Sequence, residues 1–435
     1  MESNMEVKVE KSCRVRNLLL GLFFLLFIFS PLLSGCGGGS GNSSAPGERE
    51  GSKSEDTRVW KKTFHKFGDE TARSVQQTSD GGYIVAGSTA GYPPGTSGGA
   101  EHVYCYVMKL DGDGNTLWDR PFGKDGDGEA NAVQQTSDGG YIVAGSAAGD
   151  EGSDFYVVKL NKDGVPQCEA TFDHGGDEEA YAVQQTSDGG FIVAGSAIFD
   201  DKDNDIYVVK FKINSSHYAI EKEWDATFDN NGGEEEGYSI QQTGDGGYVV
   251  AGSTTSLASG LGSDVYIVKF TVNTQKKAVV DWTATFDYHG GNEEAHSIGQ
   301  TRDGGYIAAG FTSSAKDHDF DCYIVNLRAD GSEEWAKSFG KAGSYDNASS
   351  IHKTRDGGYI VAGCGGNDFY ILKLNAQGEK SEDLTFGGSG NQDAKSIQQT
   401  ADGGYIIAGT STGTGEEDGD FCIVKIASLS QVPFN

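Results

Sequence analysis

Proline, paired cysteines and positive charge are all scarce in this sequence, and each scarcity excludes a class of protein. Only 7 of the 435 residues are proline whereas 65 are glycine, a balance typical of many tight β-turns rather than of disorder. The net charge is −30, so we expect no nucleic-acid partner, because a polyanion would be repelled. The 7 cysteines include no CxxC pair, which argues against a zinc site or a disulfide framework.

Long apolar runs are also scarce, and the one at the amino terminus indicates export. Basic residues precede Leu18–Leu33, an apolar stretch of 16 residues that is short for a membrane-spanning helix and normal for a signal peptide. The stretch ends in Leu33-Ser34-Gly35-Cys36, which resembles the lipobox of bacterial lipoproteins. This resemblance implies cleavage before Cys36 and a lipid, such as palmitate, on Cys36. A plain secretory signal or an uncleaved anchor is the alternative.

The next segment, GGGSGNSSAPGEREGSKSEDT, contains no side chain that could enter a core. We therefore predict a lipoprotein signal peptide at 1–35, a lipidated cysteine with a flexible Gly/Ser tether at 36–57, and a folded domain at 58–435. The predicted location is the cell envelope, extracytoplasmic and attached to a membrane by the lipid anchor. Because glycine follows Cys36, the resemblance implies the outer membrane if the cell is Gram-negative.

The folded domain is dominated by one repeated stretch, DGGYIVAG, first seen at Asp80–Gly87. A repeat of this period, rich in short apolar runs and glycine turns, is typical of a propeller or a solenoid. The stretch returns, nearly intact, at intervals of 46 to 58 residues, beginning at Asp138, Asp188, Asp245, Asp303, Asp356 and Asp402.

Each repeat contains four strand-like segments and no helical period with caps. In the third copy these are Ala182–Thr186, Phe191–Ser196, Ile206–Phe211 and Glu223–Phe228. The turn between the first two is Asp-Gly-Gly, in which glycine supplies positive φ. Seven such units predict an all-β fold, a seven-bladed β-propeller with four antiparallel strands per blade.

The two ends of the domain complement each other. The last copy stops after its third strand, Phe421–Ile426, whereas Val59–Phe64 is a fourth strand with no blade before it. We predict that this amino-terminal strand completes the seventh blade and closes the ring, which removes the exposed edges.

Four further features of the repeat suggest local roles. The recurring Gln-Gln-Thr of the first strand is expected to line a water-filled channel, and the Ala-Gly pair is expected to let blades approach closely. The recurring lysine near the end of the third strand is expected to cover apolar surface with its stem. Tryptophans are expected to fill the wide outer gaps between blades, and they occur at Trp60, Trp118, Trp224, Trp282 and Trp335.

The repeat resembles the DGG(Y/F)(I/V)VAG(S/T) repeats of uncharacterised bacterial and archaeal lipoproteins, and its copies cover 58–435. That resemblance implies a propeller and assigns no catalytic residue. A weaker resemblance, to quinoprotein-like and more distantly kelch-like propellers, rests on Asp111–Trp118 and Asp330–Trp335. The sequence offers no candidate set of quinone or metal ligands, and the blade count differs from the eight usual in those dehydrogenases. This second resemblance therefore implies only a shared outer hairpin.

Acidic residues concentrate in the loops between strands two and three and in those between blades, which share one face of a propeller. Three readings remain open for them: solubility with loop capping, Ca²⁺ binding, and attraction of a basic protein partner. For the second reading, carboxylates at equivalent positions could form a near-ring at the channel mouth. The candidate metal ligands are Glu129, Glu179, Glu236, Glu294 and Asp393.

These features together predict a lipid-anchored binding or scaffold module, monomeric, whose acidic loop face binds an envelope protein or a glycan. The alternative is a propeller enzyme, either a hydrolase, a lyase or a quinoprotein-like protein, with its site at the channel mouth. We assign no catalytic residue and no cofactor beyond the Ca²⁺ considered above. The candidate residues for such a site are His102, His174, His289, His296 and Tyr345. If several of them lie around one pocket, the enzyme is favoured.

Overall fold

The computed structural model describes residues 59–430, apart from 67, 92–101, 124–127, 151, 200–202, 215, 256–261, 289, 314–319, 389 and 414–418. Within these ranges the chain forms strands, turns and loops. None of the described residues belongs to a helix long and apolar enough to cross a membrane. The predicted signal peptide, the lipidated Cys36 and the tether lie outside the described residues and stay predictions.

The strands form seven four-stranded antiparallel sheets, which confirms the seven-bladed propeller. The chain begins with β1 (Trp60–Phe64). Blade 1 contains β2 (Glu70–Gln77), β3 (Tyr83–Gly91), β4 (His102–Leu110) and β5 (Thr116–Phe122). Blade 2 contains β6 (Gly128–Gln135), β7 (Tyr141–Ala148), β8 (Ser153–Leu160) and β9 (Pro166–Phe172). Blade 3 contains β10 (Glu178–Gln185), β11 (Phe191–Phe199), β12 (Asp203–Asn214) and β13 (Ala219–Phe228).

Blade 4 contains β14 (Glu235–Gln242), β15 (Tyr248–Thr254), β16 (Asp264–Val272) and β17 (Ala278–Phe286). Blade 5 contains β18 (Glu293–Gln300), β19 (Tyr306–Ser313), β20 (Phe320–Leu327) and β21 (Glu333–Phe339). Blade 6 contains β22 (Ser350–Lys353), β23 (Tyr359–Gly365), β24 (Asp368–Leu374) and β25 (Lys380–Phe386). Blade 7 contains β26 (Gln392–Gln399), β27 (Tyr405–Thr412), β28 (Gly419–Ile426) and, as its fourth strand, β1.

The amino-terminal strand closes the ring, as predicted. β1 pairs antiparallel with β28 in a register that runs from Trp60 opposite Lys425 to Phe64 opposite Phe421. Strands of the third blade are longer than the sequence indicated. Its first strand starts at Glu178 rather than Ala182, and its last at Ala219 rather than Glu223.

The apolar core is divided into seven clusters, one at each boundary between adjacent blades, which we call a seam. In β7, Tyr141 and Val143 pack against blade 1, whereas Ile142 and Ala144 pack against blade 3. Successive side chains of a strand point to opposite faces, so both faces of this strand are buried. That is why each repeat reads as an unbroken apolar run.

The outer tryptophans fill the seams, as expected. The ring of Trp118 in blade 1 lies 5.8 Å from the ring of Tyr141 in blade 2. It also lies against Gly164, where a Cβ would come within 2.8 Å of the indole. Since Gly164 has a φ of +73°, both the turn and the tryptophan require glycine there.

The repeated glutamines join adjacent blades, and the expectation that they line the channel stays a prediction. Gln134 accepts a hydrogen bond from the backbone N–H of Gln185 in the next blade, at 2.5 Å. Gln185 accepts one from the N–H of Ser137 in the previous blade, at 2.8 Å. Each glutamine pair thus provides side-chain acceptors to the seams on both of its sides.

The repeated lysines are also bonded rather than merely covering apolar surface. Lys159 is 4% exposed, and its Nζ lies 3.0 Å from Oδ2 of Asp138 in the Asp-Gly-Gly turn. The same ammonium donates to the backbone oxygen of Leu160. The repeated turn and the repeated lysine therefore form one unit.

The glycine of the Ala-Gly pair is needed inside each blade and, at Gly87, also between blades, where a Cβ would lie 2.8 Å from Phe421 of blade 7. A Cβ on Gly145 would lie 1.8 Å from the carbonyl oxygen of Glu129 on the inner strand of the same blade. At that point the register passes from Ala130 opposite Gly145 to Ala132 opposite Ala144, which leaves Asn131 in a β-bulge. The glycine therefore accommodates a bulge in the innermost strand.

Two of the cysteines are small buried residues of the apolar core. Cys105 and Cys322 are fully buried and unbridged. Burial is the main cause that raises the pKa of the Cys105 thiol to about 12. Such a thiol is unreactive at neutral pH.

Candidate functional site

The bulge recurs in the inner strands and presents a residue that differs from blade to blade. The inner strands neighbour one another around the ring axis, so these residues surround the entrance to the central channel. This entrance lies on the side of the ring where the inner strands start, which is also the side of the acidic loops. The bulged position and its equivalents are occupied by Arg73, Asn131, Tyr181, Tyr238, His296, Ser349 and Lys395.

Blades 7, 1 and 2 give this entrance a charged side. Arg73 Nη2 donates to Oε2 of Glu129 at 2.5 Å, and Lys395 Nζ lies 2.5 Å from Oδ2 of Asp393. Three buried atoms nearby, Nε of Arg73, Oδ1 of Asn131 and Oδ1 of Asp393, have no hydrogen-bond partner among the described residues. Buried polar groups are normally bonded, so one donor and two acceptors are left unsatisfied on this side.

Blades 3, 4 and 5 give the entrance an aromatic side. The rings of Tyr181 and Tyr238 lie 5.1 Å apart, and those of Tyr238 and His296 lie 4.8 Å apart. The row of rings continues outward through Phe311 and Phe320 to Tyr345, with contacts of 5.7, 5.4 and 4.9 Å. Tyr345 is 47% exposed. A row of aromatic rings therefore leads from the channel towards the surface of blades 5 and 6.

A carboxylate accompanies each of the three inner rings. Tyr181 donates its hydroxyl to Glu179 at 3.1 Å, Tyr238 donates to Glu236, and His296 Nε2 lies 2.9 Å from Oε2 of Glu294. Burial is the largest cause that raises the pKa of Glu236, and the charges of Glu294 and Glu179 add to it. The carboxylates of this side therefore lie close enough to repel one another.

The five predicted metal ligands lie at this entrance, each as the second residue of its inner strand. Glu129 is bonded to Arg73, and Glu179 is bonded to Asn131. Glu236 is bonded to Tyr238, Glu294 to His296, and Asp393 to Lys395. Ca²⁺ binding by this set stays a prediction.

Sequence reasoning missed a second set of acids, at the seams. Each seam brings three sequence positions together. The first is at the start of the third strand of one blade, and the second directly follows the fourth strand of that blade. The third is the first residue of the inner strand of the next blade. At three seams all three positions are acidic, with one oxygen of each within 4.8 Å of the others. These triads are Asp154, Asp173 and Glu178; Asp205, Asp229 and Glu235; and Asp264, Asp287 and Glu293.

A signal for the triads was present in the sequence. Phe-Asp recurs after the fourth strand, and a second glutamate directly precedes Glu179, Glu236 and Glu294. Adjacent residues of a strand point to opposite faces, so one glutamate of each pair faces the channel and the other enters the seam. The seam glutamates, Glu178, Glu235 and Glu293, are each 0% exposed.

The residues proposed for an enzyme do not gather at one place in the described part of the chain. His102 begins β4 of blade 1, and the ring of His174 lies 5.0 Å from that of Tyr207, at the seam between blades 2 and 3. His296 and Tyr345 share one row of rings but are separated in it by Phe311 and Phe320. His289 lies outside the described residues.

Comparison with known proteins supports the fold. No protein-family model matches the chain, and no curated protein matches its sequence. The WD40 domain of Pan2 from Neurospora crassa superposes with a TM-score of 0.52 and 12% identity, over 87% of this chain and 98% of that one. Sqt1 from Chaetomium thermophilum gives 0.50 and 10%, over 84% and 98%. A protein of unknown function from Dyadobacter fermentans gives 0.45 and 14%, over 85% and 99%.

At such identities these likenesses show the fold alone. The chain is a repeat-built β-propeller, and the Pan2 WD40 domain and Sqt1 share its fold. The fold does not assign a function, so the function has to be argued from the site.

Proposed function

We propose that the protein is a lipid-anchored binding module of the cell envelope, and that it binds a glycan at the channel entrance of its acidic face. The observation that carries this proposal is the change of residue at the bulged position. Six blades place Arg73, Asn131, Tyr181, Tyr238, His296 and Lys395 there, within an otherwise repetitive inner strand.

The chemistry of the two sides supports a glycan. A sugar presents C–H faces that pack on aromatic rings, and hydroxyls that both donate and accept hydrogen bonds. The rings of Tyr181, Tyr238 and His296 offer the first kind of surface. The unsatisfied atoms of Arg73, Asn131 and Asp393 offer the second.

The lipid on Cys36 and the envelope location belong to the same proposal and rest on the lipobox-like sequence. Metabolic labelling with a palmitate analogue, compared between the wild type and Cys36→Ser, tests the anchor. Label that persists in the variant contradicts it.

The binding proposal is tested with the full-length chain in detergent on an array of envelope polysaccharide fragments. We expect Tyr238→Ala to weaken binding of any retained glycan at least tenfold, because stacking on the ring is lost. Arg302→Ala is the control, because Arg302 lies on the opposite, hairpin face. Equal binding by Tyr238→Ala, or a wild type that binds no glycan but retains an envelope protein, contradicts the proposal.

A further inference from the structure

The residues at the three triad positions differ among the seven seams, so the seams can be compared with one another. The seam between blades 1 and 2 has Tyr104, Gly123 and Gly128 at the three triad positions, with no acid. The seam between blades 7 and 1 has His65 beside Glu70 and Asp420, with Nδ1 3.6 and 2.9 Å from their oxygens. An imidazole there can neutralise the acids when protonated. The three fully acidic triads have no such group within them.

The first residue of the inner strand is bonded differently at one of these triads. Glu70, Glu235 and Glu293 each accept a hydrogen bond from a threonine hydroxyl on the neighbouring strand. These threonines lie directly opposite the glutamates in the sheet. The donors are Thr89 at 3.0 Å, Thr254 at 2.6 Å and Thr312 at 2.6 Å.

Glu178 lies opposite Ala197, which has no hydroxyl to donate. Glu178 is 0% exposed, and its Oε1 accepts a long hydrogen bond of 3.3 Å from the N–H of Gly176. Its Oε2 is buried and has no hydrogen-bond partner of normal distance and angle, although the backbone N–H of His174 faces this carboxylate. A buried carboxylate oxygen left in this state costs the free energy of its lost hydration, unless something binds it.

The neighbouring charges increase this cost. Asp154 and Asp173 each place one carboxylate oxygen within 4.8 Å of one oxygen of Glu178, so the three negative charges repel one another. A positive charge held among the three acids would remove both the repulsion and the unsatisfied oxygen.

We infer that Asp154, Asp173 and Glu178 bind a Ca²⁺ ion at the seam between blades 2 and 3. One carboxylate oxygen of each residue lies within 4.8 Å of the others. Two oxygens that bind the same Ca²⁺ at 2.3–2.6 Å are at most about 5 Å apart, whereas Mg²⁺ requires a tighter set. Because Asp154 and Asp173 belong to blade 2 and Glu178 to blade 3, the ion would join the two blades on the acidic face. This site is separate from the proposed glycan site and does not depend on it.

Calorimetric titration of the full-length chain in detergent with CaCl₂ tests the inference. We expect the wild type to bind Ca²⁺ saturably at constant ionic strength, and Glu178→Gln to lose one site. Asp163→Asn is the matched control, because it removes one charge from an exposed side chain on the hairpin face of blade 2 and should bind like the wild type. Sites that persist in Glu178→Gln would be assigned to the other two triads.

Ala197→Thr is a second variant that does not remove a ligand. It restores the hydroxyl found at the other seams, so we expect Ca²⁺ binding at this site to weaken severalfold, and the Tm in EDTA to rise. If Glu178→Gln fails to fold, the Ca²⁺ affinity of Ala197→Thr tests the inference instead. A wild type that binds no Ca²⁺ at about 5 mM, which is severalfold above the weakest Kd of about 1 mM for extracellular modules, overturns the inference. A Glu178→Gln protein that folds and binds with unchanged stoichiometry and Kd also overturns it.

Discussion

Lys109 Nζ lies 3.0 Å from Oδ2 of Asp80, and 3% of the lysine side chain is exposed. Asp80 also accepts hydrogen bonds from the hydroxyl of Thr78 and the N–H of Gly82. The pair therefore joins the turn between the first and second strands of the blade to the end of the third. Because the ammonium is buried, its partner cannot be replaced by water without a rearrangement of the blade.

Loss of the aspartate should accordingly destabilise a blade. We expect Asp138→Asn to lower the free energy of unfolding by about 2 kcal/mol, since it leaves Lys159 buried without its counter-charge. This value is below the range for fully buried pairs, because Asp138 is 60% exposed. Blade 5 provides the control, because Asn326 replaces the lysine there. Asp303→Asn should cost less than about 1 kcal/mol, and equal losses in urea unfolding would contradict this account.

Stability should depend on pH through the seam acids. Burial is the main cause that raises the pKa of Glu178 and of Glu293 to about 7 and that of Asp205 to about 6. An acid with a folded pKa above its unfolded value binds more protons when folded, so its contribution to stability is lost as pH rises through the folded pKa. We expect the Tm, measured in EDTA, to fall as pH rises from about 4.5, the unshifted value for Glu178 and Glu293, to about 7.

His174 acts in the opposite sense, because burial lowers its pKa and its protonation at low pH opposes folding. The double variant Glu178→Gln/Glu293→Gln should therefore show a flatter or reversed profile. A wild-type profile that is already flat would show that these acids carry ordinary pKa values in solution.

The seam between blades 5 and 6 should be the least protected. Gly299 occupies the first glutamine position there and Lys353 the second, so neither supplies the side-chain acceptor found at the other seams. We expect amides of β22 to exchange with solvent sooner than those of the other inner strands. Gly299→Gln should stabilise the fold by about 1 kcal/mol, since a Cβ at Gly299 meets nothing within 4 Å. Unchanged Tm and exchange in this variant would contradict the role given to the glutamines.

The glycine that faces the bulge should not tolerate a side chain. A Cβ on Gly195 would lie 1.8 Å from the carbonyl oxygen of Glu179, which is backbone and cannot rotate away. We expect Gly195→Ala to destabilise the protein by about 3 kcal/mol, within the range of overpacked sites. Gly299→Ala, at an open position of an inner strand, is the control and should be neutral or stabilising. Thermal unfolding of the two variants compares them directly, and equal Tm values would contradict the contact.

Much of the fold follows from residues that are close in sequence. The apolar run Tyr141–Ala144 is buried on both sides, and the turn before it is marked by Asp138 and two glycines. Strand ends were less predictable, because pairing extended β10 back to Glu178. The role of Gln134 was missed because its partner, Gln185, belongs to the next blade, and a sequence pattern does not show which strand will lie beside it.

The sequence by itself determined the repeat, the number of blades and the closure by Trp60–Phe64, because those properties arise from local turns and from alternation with a period of two. The tertiary structure decided which carboxylates meet. Glu178 and Glu179 are neighbours in sequence, yet one enters the seam and the other borders the channel. The assignment depends on the register of β10 against β11 and on the bulge at Tyr181, both of which are set by pairing between strands.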